Sequence, residues 1–169
     1  HAFWIHPNDP NFLINGNDGG LNISRDGGAN WEFADNLPLA QFYHINYDMD
    51  FPYNVAGGMQ DNGSWIGPSA VLKNGGIRNE DWQEVLFGDG FDVLLKRDDS
   101  RYGFAMSQGG NIAYFDRKTG RTQGVKPLHP VGKHLRFNWN AALAQNPFYD
   151  CGIYFGSQFV HKSLDCGQS

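Results

Sequence analysis

Apolar and polar positions alternate along much of this chain with the period of two that marks a half-buried strand. In FYHINYD the apolar positions are Tyr43, Ile45 and Tyr47, and in FDVLLK they are Phe91, Val93 and Leu95. RFNWNAALA continues the pattern with Phe137, Trp139, Ala141 and Leu143. Helical periodicity is nearly absent, and NEDWQEV is too short to hold a helix of its own. Glycine numbers 22, aromatic residues make up 15% and charged residues only 18%, a balance suited to short strands joined by tight turns. The pattern predicts an all-β chain, and 169 residues are enough for one domain with a real core.

The alternating segments recur. Their centres, Ile45, Val93 and Asn140, stand 48 and 47 residues apart. A second series keeps nearly the same step: GNDGGLNIS, GMQDNGSWIG, MSQGGNIAYF and GSQFVHKS align on Asn17, Gln60, Gln108 and Gln158, with spacings of 43, 48 and 50. Each amide ends a short strand and precedes a turn and another strand. A strand-built period of about 40 to 50 residues predicts β-propeller blades of four antiparallel strands rather than a solenoid. The expected blades are 1–40, 41–88, 89–134 and an incomplete 135–169, about three and a half in all. An open arc leaves sheet edges bare, so the chain reads as part of a larger propeller. A closed four-blade ring, with one blade completed from both termini, is the alternative. A start at His1, without Met, agrees with a piece of a longer protein.

Charge and motifs narrow the function. Thirteen Lys and Arg stand against 18 Asp and Glu, a net charge of -5 that gives no reason to expect nucleic acid or an anionic membrane surface. No apolar run approaches the roughly 18 to 20 residues of a membrane span. The six histidines, His1, His6, His44, His129, His134 and His161, show no zinc-ligand spacing. Asp48-Met49-Asp50 and Asp98-Asp99 lack the spacing of a calcium loop and read as solvated turns. Nucleotide-binding and serine-hydrolase motifs are missing, so no metal and no cofactor is expected.

Cys151 and Cys166 flank GIYFGSQFVHKSLD, which alternates like two strands around a turn near Gln158 and Phe159. A hairpin centred there sets the two cysteines opposite each other. A cross-strand disulfide and an extracytoplasmic home is one expectation, and a pair of free thiols is the other.

The stretch Ser24-Arg25-Asp26-Gly27-Gly28-Ala29-Asn30-Trp31 fits S-x-D-x-G-x-x-W, and the chain ends on the same pattern at Ser163, Asp165 and Gly167. Locally, a carboxylate accepts backbone N–H groups of the turn, glycine takes positive φ and Trp31 covers the hairpin. This pattern resembles the Asp-box of neuraminidase-type repeats. With GGMQDNGSWIGPS, GDGFDV and RFNWN, nearly the whole chain resembles the large exported Asp-box propellers related to the sortilin ectodomain and often labelled glycosyl hydrolases. The resemblance implies an exported propeller that binds a glycan, peptide or protein partner. It also implies that the box is a structural staple between the third and fourth strands, away from the ligand face. Enzymatic activity is implied only weakly, because fold does not fix function.

Two sets of residues are candidates for the function. The turns carrying Asn17, Gln60, Gln108 and Gln158 fall at one end of a propeller, where repeated amides present hydrogen bonds to sugar hydroxyls or a peptide backbone. Alternatively each amide satisfies its own turn. Trp65, just after Gln60, Asp61 and Asn62, is either a platform for a sugar ring or packing between blades. Asymmetry enters at Asp61 and at Gly88-Asp89-Gly90: two carboxylates about 6.5 to 9.5 Å apart serve as acid and base in inverting glycoside hydrolysis. Asp beside Gly is also an ordinary turn composition. A sialidase needs an arginine cluster, and only Arg78 and Arg136 lie outside sequence that reads as outer turns.

Overall fold

A computed structural model describes residues 1–37 and 39–169. Among the described residues, fifteen strands form four antiparallel sheets, and helix is limited to two single 3-10 turns. The chain divides into two compact units, His1–Ala40 and Gln41–Ser169.

The first unit is one meander of β1 (Ala2–His6), β2 (Asp9–Asn17), β3 (Gly20–Ser24) and β4 (Glu32–Phe33). The register sets Phe3 opposite Asn15 and Trp4 opposite Ile14, so successive side chains of β1 leave by opposite faces. Trp4 meets His6 and Phe12 edge to face, His6 and Phe12 lie tilted against each other, and the Arg25 guanidinium is 5.0 Å from the centre of the Phe12 ring. Phe3 reaches Trp31, at a centroid distance of 6.3 Å. Apolar side chains on both faces are the mark of a sheet meant to be covered on both sides.

The second unit holds three sheets. One contains β5 (His44–Tyr47), β6 (Asn54–Met59), β7 (Gly63–Pro68) and β8 (Gln83–Leu86). The next contains β9 (Gly90–Leu95), β10 (Tyr102–Ser107), β11 (Asn111–Asp116) and β12 (Arg121–Gly124). The last has three strands, β13 (Leu143–Gln145), β14 (Ile153–Gly156) and β15 (Val160–Ser163). The β9–β12 sheet is buried on both faces. Val93, Leu95, Ala105 and Phe115 pack with Ala56, Ile66 and Val85, while Leu94, Phe104, Met106 and Ile112 pack with Leu143, Ile153 and Phe155. These stacked meanders are β-propeller architecture, so the chain is all-β, built of four-stranded antiparallel blades and covering about three and a half of them.

Glycine sets the spacing between the β5–β8 and β9–β12 sheets. A Cβ on Gly58 would lie 2.2 Å from the carbonyl carbon of Gly90, so β6 and β9 pack backbone against backbone. At the far ends of these strands, Gln83 donates to the Arg117 carbonyl and the Arg117 guanidinium reaches Ser100 and Asn54. Burial lowers the basicity of Arg117, and Asp48 and Asp50 oppose that effect.

The structure departs from the sequence pattern in three places. Phe91 does not share a face with Val93 and Leu95, as strict alternation predicts: it packs in the cluster on the opposite side of the sheet. The reason is a bulge. Val93 pairs with Ala105 and Gly90 with Ser107, so Phe91 and Asp92 together oppose Met106 and the side-chain phase slips by one. RFNWNAALA becomes strand only from Leu143, because β14 is four residues long and offers no partner further upstream. Its upstream backbone serves the neighbouring sheet instead, with the Trp139 carbonyl accepting from Gly109 N–H at 3.1 Å. The last hairpin pairs Ile153 with Ser163 and turns through Ser157, Gln158 and Phe159, one residue out of the register centred between 158 and 159. Cys151 and Cys166 therefore lie beyond the ladder, where the Cys166 N–H donates to the Cys151 carbonyl and the two side chains form a disulfide.

Candidate functional site

The two serine–aspartate boxes have one geometry. In the first, the Ser24 hydroxyl donates to Asp26 at 2.9 Å and accepts from Gly28 N–H at 2.9 Å. Asp26 also accepts from the backbone and side chain of Asn30, at 2.9 and 2.7 Å. In the second, Ser163 donates to Asp165 at 2.8 Å and accepts from Gly167 N–H, and Ser169 takes the place of Asn30 with backbone and hydroxyl on Asp165. Both carboxyls are pulled down to about 2. For Asp26 the main cause is the Asn30 backbone N–H; for Asp165 it is the Ser169 hydroxyl. Each box sits in the turn after its sheet's third strand, and Trp31 lies against the Gly28 turn.

Of the four repeated amides, Asn17 is the last residue of β2, and Gln60, Gln108 and Gln158 follow the second strands of their sheets. Asn17 accepts from Gly19 N–H within its own turn at 2.9 Å. The other three reach back to the segment that enters the first strand of the same sheet. Gln60 accepts from the Tyr43 hydroxyl at 2.7 Å, and Gln108 accepts from Asp89 N–H at 2.9 Å. Gln158 accepts from Arg136 N–H and donates to the His134 carbonyl. Each glutamine therefore ties the turn between the second and third strands to the lead-in of the first. Trp65 is half-buried in β7 and donates its indole N–H to the Asn62 carbonyl at 2.6 Å, closing its own hairpin.

Asp61 and Asp89 come together at the same end of residues 41–169. The Asp61 backbone N–H, at a φ of 58°, donates to Asp89 Oδ1 at 2.9 Å. Asp89 Oδ2 accepts the Trp139 indole N–H, also at 2.9 Å. Asp89 thus brackets three successive sheets: the β6–β7 turn, its own loop before β9 and the segment before β13. The Trp139 residue it holds is 63% exposed. Next to this bracket, Asn140 Nδ2 lies 3.1 Å from His44 Nε2, and His44 Nδ1 lies 4.0 Å from Asp92 Oδ1.

No family model and no curated protein matches the chain. Solved structures do. An ancestral GH74 enzyme is 15% identical with a TM-score of 0.53, covering 98% of this chain and 23% of its own. The GH74 enzyme of Niastella koreensis is 14% identical with a TM-score of 0.50, covering 100% and 28%. YCF48 bound to D1 peptide is 14% identical with a TM-score of 0.50, covering 94% and 49%. The likeness shows a β-propeller fold. The chain spans about a quarter to a half of the length of these structures.

Sequence reasoning missed Tyr43, His44, Asp92 and Asn140 as members of this end, and singled out Trp139 as an aromatic candidate without placing it here. Trp139 and Asn140 were hidden inside a segment that reads as strand, and Asp92 inside an alternating run whose phase the bulge shifts. The available signal was indirect: polar residues flanking the start of each first strand. Among the described residues, no three His, Cys, Asp or Glu side chains are arranged to hold a metal ion. No helix of these residues is long and apolar enough to cross a membrane.

Proposed function

We propose that this chain belongs to an exported Asp-box propeller of the sortilin-like kind and serves as a ligand-binding or assembly module, with blades divided near residues 40, 88 and 134. The observation that carries the reading is the convergence of three sheets at one end, where Asp61, Asp89, Gln108 and Trp139 are joined and an exposed indole is held in a fixed place. A pre-positioned aromatic among backbone turns and amides suits recognition of a glycan, a peptide or a protein surface. The disulfide between Cys151 and Cys166 supports an oxidising, extracytoplasmic setting. YCF48, bound to a peptide in its solved structure, provides a precedent for partner recognition on this fold.

An inverting glycoside hydrolase using Asp61 and Asp89 is the second reading, and the observation behind it is that the Asp61 backbone N–H on Asp89 Oδ1 brings both residues to one end of the sheets. In that reading Asp61 and Asp89 share the roles of acid and base. The test is binding and turnover by the full-length protein on β-glucans, xyloglucan, sialylated glycans and a peptide array, with Asp89→Asn in parallel. Binding without product release is expected. Release abolished by Asp89→Asn would replace the module by the hydrolase.

A further inference from the structure

Asp92 is a largely buried carboxylate at an irregular point of a strand. It is one of the two residues of the β9 bulge, a device that re-aims side chains at the ends of strands. Its side chain is only 16% exposed, and among the described residues its carboxylate accepts no hydrogen bond. The nearest ionisable neighbour is His44, at 4.0 Å from the first strand of the preceding sheet. Asn140 Nδ2 lies 3.1 Å from His44 Nε2, so the ring is held with Nδ1 facing Asp92. Because the amide nitrogen makes that contact, Asn140 Oδ1 remains an acceptor beside the cluster. Burial pushes the Asp92 carboxyl upward, with His44 opposing, as expected of a charge withdrawn from water without a full partner.

The surroundings are acidic and aromatic. Asp89 lies three residues away, and its Oδ1 holds the Asp61 backbone. Trp139, next to Asn140, has its indole clamped on Asp89 Oδ2 while most of the residue stays in solvent. Tyr43, next to His44, packs tilted against Phe91, next to Asp92, with ring centroids 4.9 Å apart. Lys126 donates to the Gly109 carbonyl at 2.9 Å, and the Gly109 N–H in turn donates to the Trp139 carbonyl. We propose that Asp92, Asn140 and Trp139 form a site for the primary ammonium group of a partner protein's lysine side chain, with the His44 ring as one wall. The carboxylate and the amide oxygen accept the ammonium protons, and the indole face adds cation–π attraction. The inference rests on the reading of this end as a binding face.

The experiment is a titration of the isotope-labelled chain with Nα-acetyl-lysinamide, following the Trp139 indole N–H and the His44 ring by NMR. Saturable shifts at both are expected, weakened at least about tenfold by Asp92→Asn and equally by acetylating the probe's side-chain amine. His44→Lys, at a residue whose side chain is 46% exposed, sets an ammonium beside Asp92 and is expected to abolish the Trp139 indole shift even if Asp92→Asn fails to fold. Absence of saturable shifts, equal binding of the acetylated probe, or full binding by His44→Lys overturns the site. A protein that binds the lysine probe yet retains no glycan, peptide or protein partner would overturn the module reading and with it the partner protein as source of the lysine, leaving a site for a primary ammonium group alone.

Discussion

Cys166 occupies, in the second box, the backbone position that Gly27 holds in the first, with φ values of 59° and 71°. A left-handed cysteine is unfavourable, and here it is held between a disulfide and the box itself. The aspartates carry a pH dependence of definite sign. Their folded-state carboxyls sit at about 2, below the ordinary aspartate value of about 3.9, so their contribution is complete above that value and lost as the pH falls through about 2. Urea midpoints of the wild-type chain are expected to drop between about pH 4 and pH 2. The drop is expected to shrink in Asp26→Asn with Asp165→Asn, whose midpoints are already lower at neutral pH. An unchanged slope would mean that the boxes do not govern acid stability. The serine, aspartate and glycine of each box were legible because all their bonds are local, within six residues. The glutamine partners were not: Gln108 and Asp89 are 19 residues apart, and the sequence does not fix which backbone N–H an amide will meet.

At the scale of elements, bulges and glycine contacts decide which side chains meet. The β6–β9 approach predicts that Gly58→Ala destabilises the chain by about 2 kcal/mol or more, since the added methyl meets backbone rather than a movable side chain. Gly124→Ala meets nothing within 4 Å and is expected to be neutral or slightly stabilising, which makes it the control. Paired denaturant melts compare the two, and equal midpoints would contradict backbone-on-backbone packing. Strand identity was legible from alternation, because a strand's period is a local property. Strand extent was not. RFNWNAALA alternates over nine residues, yet it pairs only where β14 provides a partner, and the freed part carries Trp139 to Asp89.

Over the whole molecule, the β9–β12 sheet is the centre of mass of the core in residues 41–169, covered on both faces by apolar clusters. Amides of Phe104, Ala105 and Phe115 are therefore expected to exchange with deuterium more slowly than those of β12, whose residues are exposed, and exchange read by mass spectrometry or NMR checks it. Replacing Cys151 and Cys166 by serine releases a 15-residue closure and is expected to cost about 2 to 4 kcal/mol in urea unfolding, with the ladder of β14 and β15 the first to open.

The sequence by itself determined the strand-rich class, the repeat of nearly fifty residues and the box turns, because each is written in periodicity or in contacts a few residues long. Tertiary structure alone decided which polar residues of three different repeats meet at one end, and that a bulge turns Asp92 toward His44. Those contacts join residues 28 to 96 positions apart, and nothing in local pattern selects among the many pairings such distances allow.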